Sequence, residues 1–90
     1  MARFPLGRVL ATPGVLAELE RAGIAPALLL LRHSNCDDGE LDREDKAANR
    51  AALRDGARIL SAYQITPDVR VWVITEWDRS VTTLLLPSEY

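Results

Sequence analysis

Six carboxylates crowd the middle of this chain: Asp37, Asp38, Glu40, Asp42, Glu44 and Asp45, with Arg43 among them. Residues 37–45 therefore carry −5 against −2 for the whole chain, so everything outside them sums to +3 and the molecule is polarised. Clustered carboxylates can hold a metal ion, share acid–base work, or present a negative surface. An EF-hand loop needs alternating oxygen ligands with Gly at its sixth position and Glu at its twelfth. Counted from Asp37, the third, fifth and sixth positions are Gly39, Leu41 and Asp42, and the pattern fails. Acid–base catalysis needs a cleft and two carboxyls of unlike pKa, whereas acids around a helix start are ordinarily solvated.

The only imidazole and the only thiol, His33 and Cys36, stand at a His-x-x-Cys spacing. A structural zinc needs four ligands, mostly Cys or His, and only Asp37 and Asp38 are at hand to complete the set. The plainer reading is a His at a helix end and a Cys in a loop. With one His there is no evident nucleophile–base pair, and no Gly-rich phosphate loop occurs. The expectation is a protein that is not an enzyme and that holds no metal and no cofactor.

The negative-surface reading remains. Charges this close lie within one Debye length, about 8 Å at physiological salt, and reinforce each other's field. Such a patch steers and selects a basic partner. The expected partner-binding set is Asp37, Asp38, Glu40, Asp42, Glu44, Asp45 and Trp77. Trp77, in a turn beside Asp78 and Arg79, either folds back on the sheet or serves as an exposed anchor. The partner would be a host protein or ribonucleoprotein with a basic surface. An alternative set is Arg43, Lys46, Arg50 and Arg54, spaced as one exposed helix stripe that could touch phosphates. The neighbouring acids oppose that use, so direct nucleic-acid binding is the second reading.

Ninety residues make one domain, 1–90. Hydrophobic residues at 48% and charged residues at 27% are those of a globular protein with one small core. The longest apolar run, from Ala25 to Leu31, contains Pro26 and is too short to span a bilayer. No apolar segment of signal-peptide length opens the chain, and a single Cys excludes an internal disulfide; a cytoplasmic protein is expected.

Residues 6–12 read as a short strand. Thr12 and Pro13 then make a helix start, and Gly23 a stop. Pro26 opens a second helix to about His33, whose four successive leucines predict burial around most of its circumference. Residues 34–41 read as loop. Asp42 caps a third helix, about 43–55, and Asp45 stands where the reciprocal capping acid belongs. Leu41, Ala48, Ala51 and Ala52 would be its inner face. Residues 57–65, 69–76 and 81–86 read as strands joined by short turns, with Val69, Val71, Val73 and Thr75 on one face of the middle strand. The order β-α-α-α-β-β-β predicts an α+β two-layer domain, its helices on one face of an antiparallel sheet, with the N-terminal strand at the sheet edge.

The stretches Gly56–Tyr63, Val71–Glu76, Asp78–Thr83 and Leu85–Tyr90, with Phe4–Gly7, Ala11–Gly14 and Arg32-His33, resemble a small bacterial family. Its members are described as plasmid-related proteins or as a subunit of a type I restriction system. The chain departs from that pattern at Cys36–Glu40, where the family is less acidic and has a Trp. The resemblance implies a mobile-element context and no catalytic residues. By analogy with small acidic proteins carried on plasmids and phages, it implies an inhibitor of host defence of the anti-CRISPR or anti-restriction type.

Overall fold

A computed structural model describes residues 2–90. The elements are β1 (Arg8–Ala11), α1 (Pro13–Ala22), α2 (Pro26–Ser34), α3 (Arg43–Asp55), β2 (Ile59–Thr66), β3 (Val69–Thr75), β4 (Val81–Leu85) and a 3₁₀ turn (Pro87–Glu89). The chain is α+β with a four-stranded sheet in the order β1-β4-β3-β2.

The three C-terminal strands are antiparallel neighbours, as their short turns dictate. β1, however, pairs with β4 in parallel, so the sheet is mixed and not antiparallel throughout. Turn length fixes the sense of strands that are neighbours in sequence. β1 and β4 are separated by three helices and two strands, so the route of the chain sets their sense.

Local chemistry starts and stops the helices. The Thr12 hydroxyl accepts from Val15 N–H at 3.1 Å, and Gly23 ends α1 in the left-handed region. Asp42 accepts from Asp45 N–H at 2.8 Å, and Gly56 closes α3 in the same way as Gly23. Among the described residues no bond returns from the Asp45 carboxylate to Asp42 N–H, so half of the expected capping box forms.

By the strand register, Ile59, Ser61, Tyr63, Val71, Val73, Thr75, Thr82 and Leu84 share one face of the sheet. Val15 and Leu19 of α1 and Leu29 of α2 pack with Tyr63, Val71, Val73 and Leu84 in the main core. Ala52 of α3 packs with Phe4 and Ile59 in a second cluster. Burying one such Leu or Val side chain contributes about 1.5–3 kcal/mol.

Two expectations fail here. Leu28 and Leu31 are 53% and 60% exposed, so α2 buries one stripe and not most of its circumference. On α3 the buried positions are Asn49 and Ala52, while Ala48 is exposed and Ala51 half-buried. The inner face is thus turned toward Asn49, because the Asn49 amide has backbone to bond.

Candidate functional site: the acidic segment and the third helix

β2 is an edge strand, and an open edge presents unpaired N–H and C=O groups. Its outward-pointing residues are Leu60, Ala62 and Gln64, and each outward N–H finds an acceptor. Asn49 Oδ1 accepts from Leu60 N–H at 3.0 Å, while Asn49 Nδ2 donates to the Leu60 carbonyl. The Asp38 carbonyl accepts from Ala62 N–H at 3.1 Å, and Glu40 N–H donates to the Ala62 carbonyl at 2.8 Å. The Glu40 carboxylate accepts from Gln64 N–H at 3.0 Å. Gly39, at φ +73°, lies so close that a Cβ there would stand 2.0 Å from the Ala62 carbonyl oxygen.

The same segment is tied at its start. The Arg32 guanidinium grips the Asp37 carboxylate with two bonds, at 2.6 and 3.3 Å, and lies 4.4 Å above the centre of the Tyr63 ring. The Tyr63 hydroxyl donates to the Asp37 carbonyl. The bond from Arg32 holds the Asp37 carboxyl below its ordinary pKa, while burial pushes the Tyr63 phenol up to about 12. The Asp38 carboxylate accepts from Asn49 Nδ2 at 3.1 Å, and its loss of solvent raises its pKa.

The three carboxylates that helix capping does not explain, Asp37, Asp38 and Glu40, are therefore all committed to internal bonds. Glu40, Asp42, Glu44 and Asp45 still present exposed side chains, and among the described residues none of the four is in an ion pair. Trp77 is 67% exposed and does not join them. The Arg79 guanidinium donates to the carbonyls of Trp77, Ala57 and Ala52, which fixes the Trp77 turn at the C-terminal end of α3. The acids stand at the N-terminal end, and a 13-residue helix is about 20 Å long. Between them run Arg43, Arg50 and Arg54, exposed, and Lys46, half-buried.

His33 lies near the end of α2, as expected, but its side chain is turned into the core. It is 0% exposed, with Nδ1 2.6 Å from Ser61 Oγ and Nε2 2.8 Å from Thr75 Oγ1. Thr75 Oγ1 lies 2.7 Å from Thr82 Oγ1, which donates to the Leu6 carbonyl at 2.6 Å. That carbonyl can only accept, so the chain has one consistent direction. Thr82 donates to Leu6, Thr75 to Thr82, the Nε2–H of a neutral His33 to Thr75, and Ser61 to Nδ1. Burial holds the His33 pKa down at about 4, which keeps the ring neutral. A Ser–His pair at this distance is the geometry of a nucleophile and its base, but both residues are 0% exposed and no substrate reaches them. Both ring nitrogens are engaged, so His33 has no lone pair to offer a metal alongside Cys36.

Cys36 instead borders a cleft of about 250 Å³ with Arg3, Asn35, Asp38, Asn49 and Arg50. Burial raises the pKa of its thiol. No group of three or more His, Cys, Asp or Glu side chains placed to hold a metal ion occurs among the described residues. No helix among them is long and apolar enough to cross a membrane.

No protein-family model, no curated protein and no solved structure matches this chain. Sequence reasoning missed Asn49 and the burial of His33, although each left a signal: a lone Asn among the alanines of α3, and a lone His at the end of an apolar helix.

Proposed function

We propose that this is a non-enzymatic, mobile-element-borne binding protein that inhibits a nucleic-acid-handling host-defence machine, such as a CRISPR effector or a restriction enzyme. The acidic rim at the start of α3 would occupy a Lys/Arg-lined surface that otherwise holds nucleic acid. The observation that carries this reading is the set of exposed carboxylates, Glu40, Asp42, Glu44 and Asp45, which have no ion-pair partner among the described residues and lie on a segment anchored to the sheet edge. An anchored patch loses little conformational entropy when a partner arrives. Asp37 and Asp38 serve here as supports that hold the patch in place. We also infer that the three helices form one layer over the sheet face carrying Val71 and Val73, which is supported by the packing of Val15, Leu29 and Ala52 with residues of that face.

The test is reversal of Glu44 and Asp45 to Lys, two exposed residues whose side chains make no bond among the described residues. Capture of a host defence nuclease by the tagged protein should be lost while the circular dichroism spectrum is unchanged. Capture that survives both reversals would sink the reading.

A second reading has an observation of its own. Trp77 stands at the C-terminal end of the stripe formed by Arg43, Lys46, Arg50 and Arg54, and cations beside an exposed aromatic suit single-stranded nucleic acid. Tight binding of bare DNA or RNA in a gel shift, weakening steeply with salt, would favour it over the first.

A further inference from the structure

The two edges of the sheet are treated differently. The β2 edge is closed by Asn49, the Asp38 carbonyl, Glu40 N–H and the Glu40 carboxylate. Among the described residues, none covers the β1 edge in this way. Arg8 N–H donates to Ser80 and Thr12 N–H to Leu84, so residues 8, 10 and 12 turn their backbone toward β4. Val9 and Ala11 consequently point N–H and C=O away from the sheet. Val9 and Leu10 are 43% and 45% exposed.

We propose that β1 pairs antiparallel with β1 of a second copy of this chain across a two-fold axis, joining two four-stranded sheets into one. The register follows from which groups are free. Val9 faces Ala11 of the second copy and Ala11 faces its Val9, each pair exchanging two backbone hydrogen bonds. Leu10 then meets Leu10 on the axis, an apolar pair that removes both side chains from water. Pro13 ends the ladder one residue beyond Thr12.

Charge selects the same register. Arg8 falls opposite Thr12 of the second copy, and the Thr12 hydroxyl donates to Glu89 at 2.7 Å. Glu89 of the second copy is therefore carried to Arg8, and by symmetry the contact occurs twice. Within one protomer neither Arg8 nor Glu89 is in an ion pair, the pairs among the described residues being Arg21–Glu18 and Arg32–Asp37. A two-fold axis makes the patch its own complement, and the self-matching of register, apolar centre and charge favours a second copy over an unrelated strand.

Sedimentation velocity across a wide concentration range tests the assignment. The wild-type mass should rise with concentration from 10.0 kDa toward twice that value. Val9→Pro removes an outward N–H that β4 does not use, so it should leave a folded monomer. Leu10→Lys sets two like charges on the axis and should give the same result by an independent route, with circular dichroism reporting the fold of both. A wild-type chain that stays monomeric leaves the edge to another protein's strand or to none, and overturns the proposal. A dimer that survives either substitution in a folded variant overturns it as well.

Discussion

The Asn49 side chain stands where a fifth strand would stand beside Leu60, accepting from its N–H at 3.0 Å and donating to its carbonyl. One amide thus replaces one rung of a β-ladder and joins α3 to the edge of the sheet. Asn49 also reaches Asp38 at 3.1 Å, so the same side chain aligns the acidic segment with that edge.

Asn49→Ala should therefore cost more than a helix-surface change. It leaves the backbone of Leu60 without partners at a half-buried position, and the loss should be about 2–3 kcal/mol. Urea denaturation measures it. Asn49→Asp keeps the acceptor but brings a second carboxylate to Asp38, so it should also destabilise, and more at neutral pH than at pH 4.

Acid should weaken the fold through His33 before it weakens the carboxylate bonds. The ring's pKa is lowered from 6.5 to about 4, so the unfolded chain binds the extra proton first. The stabilisation from the neutral ring is complete above pH 6.5 and is lost as pH falls toward 4. Its size is about 3 kcal/mol on the pKa difference. Asp37, Asp78 and Glu89, held below their ordinary values by hydrogen bonds, act in a lower window, since their contribution disappears only as they protonate. Asp38, raised by burial, acts in the opposite sense. Urea midpoints taken across this range should fall for the wild type and stay flatter for His33→Gln.

Two glycines with nearly equal φ should respond differently to Ala. Gly56, at φ +72°, has nothing within 4 Å of its would-be Cβ, so Gly56→Ala meets only backbone strain. That strain is about 1 kcal/mol. Gly39, at φ +73°, would drive its Cβ into the Ala62 carbonyl. Gly39→Ala should cost about 1–2 kcal/mol more, because the Glu40–Ala62 and Asp38–Ala62 bonds must open. Equal melting temperatures for the two variants would show that the 38–40 loop does not hold the edge.

Trp77→Ala should leave stability within about 0.5 kcal/mol of wild type, as for most exposed positions. Trp72 is half-buried and meets the Tyr90 ring edge-on at 5.6 Å. Trp77 should therefore account for most of the acrylamide-quenchable fluorescence, which the substitution removes. Should the second functional reading hold, the same variant weakens binding to single-stranded nucleic acid.

Much of the framework was legible in the chain. The order of elements, the Thr12 and Asp42 caps, the Gly23 and Gly56 stops and the alternation along β3 all depend on neighbours within a few positions, where side-chain chemistry acts on nearby backbone. The edge position of β1 was as expected too.

What the tertiary structure alone decided depends on what each segment lands against. β1 runs parallel to β4 because the chain returns through three helices before its last hairpin. His33 is neutral and buried because Ser61 and Thr75, 28 and 42 residues away, meet its two nitrogens. Composition marked the run from Asp37 to Asp45 as one negative feature. The fold divides it: Asp37 pairs with Arg32 at the surface, Asp38 is half-buried against Asn49, Glu40 bonds the sheet edge, and Asp42, Glu44 and Asp45 stay exposed and outside any ion pair among the described residues. Charge is a property of the sequence, but whether a charge faces solvent or a donor is fixed only when distant backbone is brought within hydrogen-bonding reach.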